Sequence, residues 1–199
     1  MKHMLLIASG NPGKIREIKM LLGDVDTEII SAHQKNMDLT VEETGNSYAE
    51  NARLKAMAYL KETGIPVLAD DSGLEVDALN GEPGIYSARY SPNPEASDSD
   101  RYHYLLEQLT GKPQPWTAHF HCTAILALPD GEVIETTGRC DGIIIPEARG
   151  AGGFGYDPIF YLPEFGATMA ELPMRIKNKI SHRARAVSAL VPVIKEKLN

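Results

Sequence analysis

The sequence predicts an α/β domain built on a mixed β-sheet. Three observations predict it: short apolar runs alternate with amphipathic helical stretches early in the chain, a hairpin of period-two strands sits late, and no linker or repeat interrupts the 199 residues. One continuous domain over residues 1–199 is therefore expected. Leu5-Leu6-Ile7-Ala8 reads as a buried strand that ends at the turn Ser9-Gly10-Asn11-Pro12-Gly13-Lys14. In the helix that follows, Asn11 can cap, Pro12 suits the first position, and Ile15, Ile18 and Leu22 share one face. Thr27 to Ala32 predicts a second strand. Ser47-x-x-Glu50 has capping-box spacing and opens a helix with a face of small residues, Ala49, Ala52 and Ala56 with Tyr59 or Leu60, ending near Gly64.

Pro66 to Ala69 is a short apolar strand that runs into Asp70-Asp71-Ser72-Gly73, and Leu74 to Leu79 then alternates, so two neighbouring strands are expected. Tyr102, Leu105, Leu106 and Leu109 mark a third helix, stopped by Gly111 and Pro113. Phe120, Cys122, Ala124, Leu126 and Leu128 alternate, Pro129-Asp130-Gly131 turns, and Val133 to Gly138 returns, which makes a hairpin. Val187, Leu190, Val191, Ile194 and Leu198 line one face of the last helix.

Hydrophobic residues make up 43% and charged residues 24%, an ordinary globular balance. Lys plus Arg number 20 against 27 Asp plus Glu, a formal charge of −7, which is the wrong sign for holding a nucleic-acid polymer by its phosphates. An acidic protein can still take a small polyanion where basic residues converge or where carboxylates carry a divalent cation. The N-terminal apolar run is too short for a signal peptide, and no stretch approaches the roughly 20 apolar residues that cross a bilayer, so a cytoplasmic location without membrane contact is expected. Cys122 and Cys140 show no metal-ligand spacing and read as reduced structural thiols.

Several segments could carry chemistry. Ser9 to Lys14 places small residues, a cap and a lysine between strand and helix, where free backbone N–H groups make an anion site; a plain strand-to-helix turn has the same look. It is not a P-loop, being too short, with Ile15 in place of the hydroxyl residue. Gly150-Ala151-Gly152-Gly153-Phe154-Gly155 satisfies G-x-G-x-x-G formally, but Pro158 blocks the helix that a dinucleotide site requires. The segment reads as a glycine loop that brings backbone close to a ligand, with Phe154 available to stack, or as a surface turn with a buried Phe. Two acidic pairs stand out: Glu42-Glu43 in a loop, which alone also reads as solvated decoration, and the stronger Asp70-Asp71 at a strand's carboxyl end, where α/β proteins tend to hold ligands. His119-x-His121-Cys122 is a weak zinc candidate, since alternation puts both histidines opposite the cysteine. Lys177-x-x-x-Ser181-His182-Arg183 brings two cations and a histidine to the start of the last helix, against its dipole, and so points to a ligand.

Together these segments resemble the inosine triphosphate pyrophosphatase family, which removes deaminated purine nucleotides. Six ordered blocks carry the resemblance: Ser9 to Lys14; Glu43-Thr-Gly45 with Glu50-Asn51-Ala52; Ala69 to Gly73; Pro83-Gly-Ile-Tyr-Ser-Ala-Arg89-Tyr90; Gly153 to Pro158; and Ser181-His-Arg183. The resemblance implies hydrolysis of ITP, dITP and XTP to the monophosphate and pyrophosphate, dependence on Mg²⁺, a homodimer, and an elongated mixed sheet flanked by helices in two lobes with the active-site cleft between them. Carried residue by residue, it implies Asp71 as the catalytic carboxylate, with Glu43 and Asp71 at the metal. Ser72 matches a substrate contact. Ser9, Gly10, Asn11, Pro12, Gly13, Lys14 and Lys177 match positions that grip the nucleotide, while Phe154, Gly155, Tyr156, Asp157, His182 and Arg183 match those that hold and read the base. Met174-Arg175-Ile176 departs from the acidic residues usual before the lysine. The alternatives are a Maf-like pyrophosphatase acting on pyrimidine or modified nucleotides, and a nucleotide-binding sensor without catalysis.

Overall fold

Alternating strand residues sort the first half of the chain onto two sides of a sheet. A computed structural model describes residues 3–32, 34 and 39–198; Met1 and Lys2 of the N-terminal run lie outside the described residues. In chain order the elements are β1 (Met4–Ile7), α1 (Pro12–Leu21), β2 (Glu28–Ser31), α2 (Tyr48–Thr63), β3 (Val67–Val76), α3 (Asp98–Leu109), β4 (Trp116–Ala127), β5 (Val133–Ile144), β6 (Phe160–Leu162), β7 (Ala167–Thr168), α4 (Met174–Ile180) and α5 (His182–Leu198). Seven strands form one sheet in the order β2-β1-β3-β4-β5-β6-β7. It is mixed: β1 pairs in parallel with β2 and β3, whereas β5–β6 and β6–β7 are antiparallel. The mixed α/β class predicted by the sequence is thus the one observed.

The described chain divides into two units, each with its own core. The first comprises Met1–Asp71, Cys122–Gly138 and His182–Asn199. On one sheet face, Leu5, Ile7, Leu68, Cys122, Ala124 and Leu126 pack against Ile18 and Leu22 of α1 and its C-cap, and against Val187, Leu190 and Ile194 of α5. The intervening residues Leu6, Ala8, Val67, Ala69, Ile125 and Ala127 meet Ala52, Ala56 and Tyr59 of α2 on the other face. Each large aliphatic side chain buried this way contributes about 1.5–3 kcal/mol. The alanines of α2 let its backbone come close to the strands, which sets where the polar residues of that helix fall. Gly138 of β5 sits so near α5 that an added Cβ would lie 2.1 Å from the His182 carbonyl oxygen.

The second unit comprises Ser72–His121 and Arg139–Ser181. Its core joins Leu74 and Val76 of β3, Leu105 and Leu109 of α3, Trp116 and Phe120 of β4, and Ile159, Phe160 and Leu162. The rings of Phe120 and Phe160 lie 4.5 Å apart in tilted contact. A full capping box at Ser97 and Asp100 starts α3.

The elements differ from expectation in three places. The two neighbouring strands expected around Asp70-Asp71-Ser72-Gly73 are a single ten-residue strand, β3, that runs through this polar stretch. The capping box at Ser47 is half-formed: Ser47 accepts from Glu50 N–H, but the Glu50 carboxylate accepts from Asn46 N–H at 2.6 Å. Lys177 does not start the last helix. It lies in the last turn of α4, where a cation suits the helix dipole, and Ser181 breaks the chain there with an extended ψ of 155°.

Candidate active site

Because β3 continues through Asp70 and Asp71, pleating sends the two carboxylates to opposite sheet faces. Asp70 follows Leu68 onto the face of α1 and α5. Lys14, in the first turns of α1, places Nζ 3.1 Å from Asp70 Oδ2, and Arg183, at the start of α5, donates from Nε to the same oxygen at 3.1 Å. Arg183 also donates from Nη1 to Glu17 Oε2 at 2.6 Å. Glu17, Asp70 and Arg183 are all buried. Burial alone would raise the Asp70 carboxyl, but Lys14, Arg183 and Lys55 outweigh it and hold it well below the usual carboxylate range. Asp70 Oδ1 is buried and accepts no hydrogen bond among the described residues.

Asp71 follows Ala69 onto the α2 face. Asn51, fully buried in α2, donates from Nδ2 to Asp71 Oδ2 at 3.2 Å and accepts at Oδ1 from Gly45 N–H at 2.8 Å. It thereby links Asp71 to the loop that carries Glu43. One helical turn on, Lys55 Nζ lies 2.5 Å from Glu43 Oε1 and 3.5 Å from Asp71 Oδ1, so the two carboxylates converge on one positive charge. Burial, joined by the charges of Glu43 and Asp70, raises the Asp71 carboxyl against the pull of Lys55 and Lys14. Burial would lower the Lys55 ammonium, but Asp71, Asp70 and Glu43 raise it above the ordinary lysine value.

Among the described residues of this cluster, the four carboxylates Glu17, Glu43, Asp70 and Asp71 meet the three cations Lys14, Lys55 and Arg183. The excess of acid, made only of hard oxygen donors, fits a hard divalent cation. No group of three or more His, Cys, Asp or Glu ligands is found among the described residues. Mg²⁺ asks for less than that, one or two protein carboxylates completed by phosphate oxygens and water. Glu43 and Asp71 supply such a pair.

The second unit holds another cluster. Lys177 Nζ lies 2.5 Å from Asp157 Oδ2 and 5.0 Å from the centre of the Phe154 ring, and both charged side chains are buried. Asp157 Oδ2 also accepts from Phe154 N–H at 3.0 Å. Gly153 is required here, since an added Cβ would fall 1.9 Å from that oxygen. A cation held over an aromatic face beside a carboxylate offers stacking and both hydrogen-bonding polarities to a flat heterocycle.

The Ham1 family model matches residues 5–193. The chain belongs to the Ham1 family. This bears out the resemblance drawn from the six sequence blocks. It is 44% identical over 191 residues to the dITP/XTP pyrophosphatase of Desulforamulus reducens, covering 96% of this chain and 94% of that one. It is 45% identical over 193 residues to a dITP/XTP pyrophosphatase of Thermus thermophilus, covering 96% and 92%. Among solved structures it is similar to a HAM1 protein from Coxiella burnetii, with a TM-score of 0.88, 40% identity, and coverage of 98% of this chain and 99% of the other.

Within this Ham1-family chain the sequence-predicted residues fall as follows. Glu43, Asp71, Lys14, His182 and Arg183 belong to the first unit; Ser72, Phe154, Gly155, Tyr156, Asp157 and Lys177 belong to the second. Gly10, Asn11 and Pro12 are exposed, while Ser9 and Gly13 are half-buried. The Asn11 carboxamide accepts from Gly13 N–H at 2.8 Å and Lys14 N–H at 3.2 Å, so the cap takes two of the amides on which a helix-terminal anion site relies. Tyr156 is buried, and its hydroxyl donates to the Ser87 carbonyl at 2.9 Å. Glu42 is exposed. His119 pairs with Glu75 at 3.0 Å. Three residues of the first cluster had no role assigned from sequence: Glu17, Asn51 and Lys55. The signal for two of them was present, since Asn51 and Lys55 stand four apart on the small-residue helix.

Proposed function

We propose that this chain hydrolyses ITP, dITP and XTP to the nucleoside monophosphate and pyrophosphate, clearing deaminated purines from the nucleotide pool, and that it does so with Mg²⁺ as a cytoplasmic homodimer. The observation that carries the proposal is the convergence of Glu43 and Asp71 on the Lys55 ammonium, in a chain about 45% identical to proteins named dITP/XTP pyrophosphatase. Among the described residues no helix is long and apolar enough to cross a membrane.

A triphosphate carries about four negative charges, and hydrolysis adds charge at the phosphorus under attack. Mg²⁺ held by Glu43 and Asp71 would neutralise that charge when bound; Lys14 and Lys55 are the chain's own contribution. Water attacks the α-phosphorus, the bond from that phosphorus to the bridging oxygen breaks, and pyrophosphate leaves. Asp71, whose carboxyl burial raises, is suited to take the water's proton. Phe154 stacks on the purine, with Asp157 and Lys177 beside its edge. Hypoxanthine and xanthine present an oxygen acceptor at the 6-position where adenine presents an amine, and a buried donor left facing the amine costs about 1–3 kcal/mol.

Pyrophosphate release from ITP, XTP, dITP, GTP, ATP and dTTP, with Mg²⁺ and with chelator, tests the proposal. Turnover is expected for the first three, with loss in chelator. Equal rates on ATP and ITP would refute the substrate class, and chelator-insensitive turnover would refute the metal. Asp71→Asn is expected to abolish turnover and leave folding intact.

A further inference from the structure

The loop Gly153-Phe154-Gly155 poses a physical problem. Both glycines adopt left-handed backbone, with φ of 74° and 62°, so neither restricts the direction in which the ring between them points. Lys177 lies over one face of the ring, and the hydrogen bonds of the loop hold the backbone that carries it. Phe154 N–H goes to Asp157, within the loop itself. The next amide, Gly155 N–H, leaves the loop and donates to Asp98 Oδ2 at 2.7 Å, on the first turn of α3. The other carboxylate oxygen of Asp98 pairs with Arg101 one turn along the helix, and Arg101 donates in turn to the Ala96 carbonyl at 2.5 Å. The acceptor is therefore oriented before the loop reaches it. A charged acceptor also makes a stronger bond to an amide than a neutral one.

We propose that Asp98 is a positioning residue for nucleobase binding, holding the Phe154 ring in its stacking orientation through Gly155 N–H; the inference rests on the nucleotide role proposed above for Phe154. Asp98 touches no reacting atom. Its loss frees a glycine-flanked ring that must then be ordered anew by each substrate, an entropic cost that falls on binding and not on chemistry.

The test uses the full chain and dITP, with Asp98→Ala, Asp98→Asn, Phe154→Ala and the double variant Asp98→Ala/Phe154→Ala. Asp98→Ala is expected to raise KM about tenfold with kcat changed by less than about twofold, and to speed amide exchange at Gly155 in the ligand-free protein. Asp98→Asn, whose carboxamide oxygen can still accept from Gly155, should recover most of the KM. In the Phe154→Ala background, Asp98→Ala should move KM by less than about twofold, because the ring it positions is gone. A purely structural role at the start of α3 would act equally in both backgrounds. The proposal is overturned by an unchanged KM despite faster exchange, by equal effects with and without Phe154, or by Asp98→Asn matching Asp98→Ala. A wild-type chain that hydrolyses no dITP would refute the proposed function and this inference with it; normal wild-type turnover with any of the three results above would refute the inference alone.

Discussion

Replacing Arg183 by methionine keeps much of the side chain's volume and removes its donors from two carboxylates whose side chains are at most 3% exposed. Breaking a buried pair from one side costs about 3–5 kcal/mol, chiefly because the remaining charge is left uncompensated. Asp70 keeps Lys14 at 3.1 Å, so the loss of compensation is partial and the lower figure of about 3 kcal/mol applies. In a chain of this length that lowers the thermal midpoint by roughly 6–12 °C. Thermal and urea unfolding of the ligand-free protein at pH 7 measure it. Adding Glu17→Gln should return about 1–2 kcal/mol, since a buried amide is cheaper to leave than a buried carboxylate. An Arg183→Met protein within about 0.5 kcal/mol of wild type, or a double variant less stable than the single, would refute the reasoning. A residue that served only to read a base would leave ligand-free stability where it was.

Two other perturbations follow from the same geometry. Asn51→Ala removes the donor to Asp71 and the acceptor for Gly45, and is expected to cost about 1–3 kcal/mol in urea unfolding and to lower kcat on dITP; an unchanged kcat would contradict the link between the Glu43 loop and Asp71. Burial first, and the Asp70 charge second, push the Cys122 thiol up to about 12, so at pH 8 it stays protonated in the fold. Ellman's reagent should therefore reach both buried cysteines, Cys122 and Cys140, only after denaturation, and a fast-reacting thiol in the native protein would overturn this.

Local signals carried the helices. Asn11 and Pro12 start α1 where the sequence placed them, and Gly64, at φ 65°, ends α2. The start of α3 was missed because Asp100 stands where a capping box usually shows Glu or Gln, although aspartate reaches back to Ser97 equally well. The continuity of β3 was hidden for a different reason. Asp-Asp-Ser-Gly has turn composition, and only charges delivered by Lys14, Lys55 and Arg183 make it tolerable inside a sheet. Those partners stand far along the chain, Arg183 a full 113 positions from Asp70, beyond the reach of any periodicity. Arg183 is the sharpest case, since its anti-dipole position invited a ligand and its partner Glu17 lies 166 positions earlier. The pair Asp70-Asp71 was legible as a candidate, because two carboxylates directly after an apolar run are unusual enough to stand out.

The pleat of β3 has a consequence for how such a gene can drift. Leu68 and Asp70 lie toward one layer of helices, Ala69 and Asp71 toward the other, and each acid accepts a side-chain hydrogen bond from its own side. A substitution nearby alters one contact. An insertion or deletion of one residue between Val67 and Asp70 would turn both acids over together, setting one carboxylate among partners arranged for the other and driving the alternating aliphatics out of their layers. The length of that short stretch is therefore under tighter constraint than the identity of most residues in it.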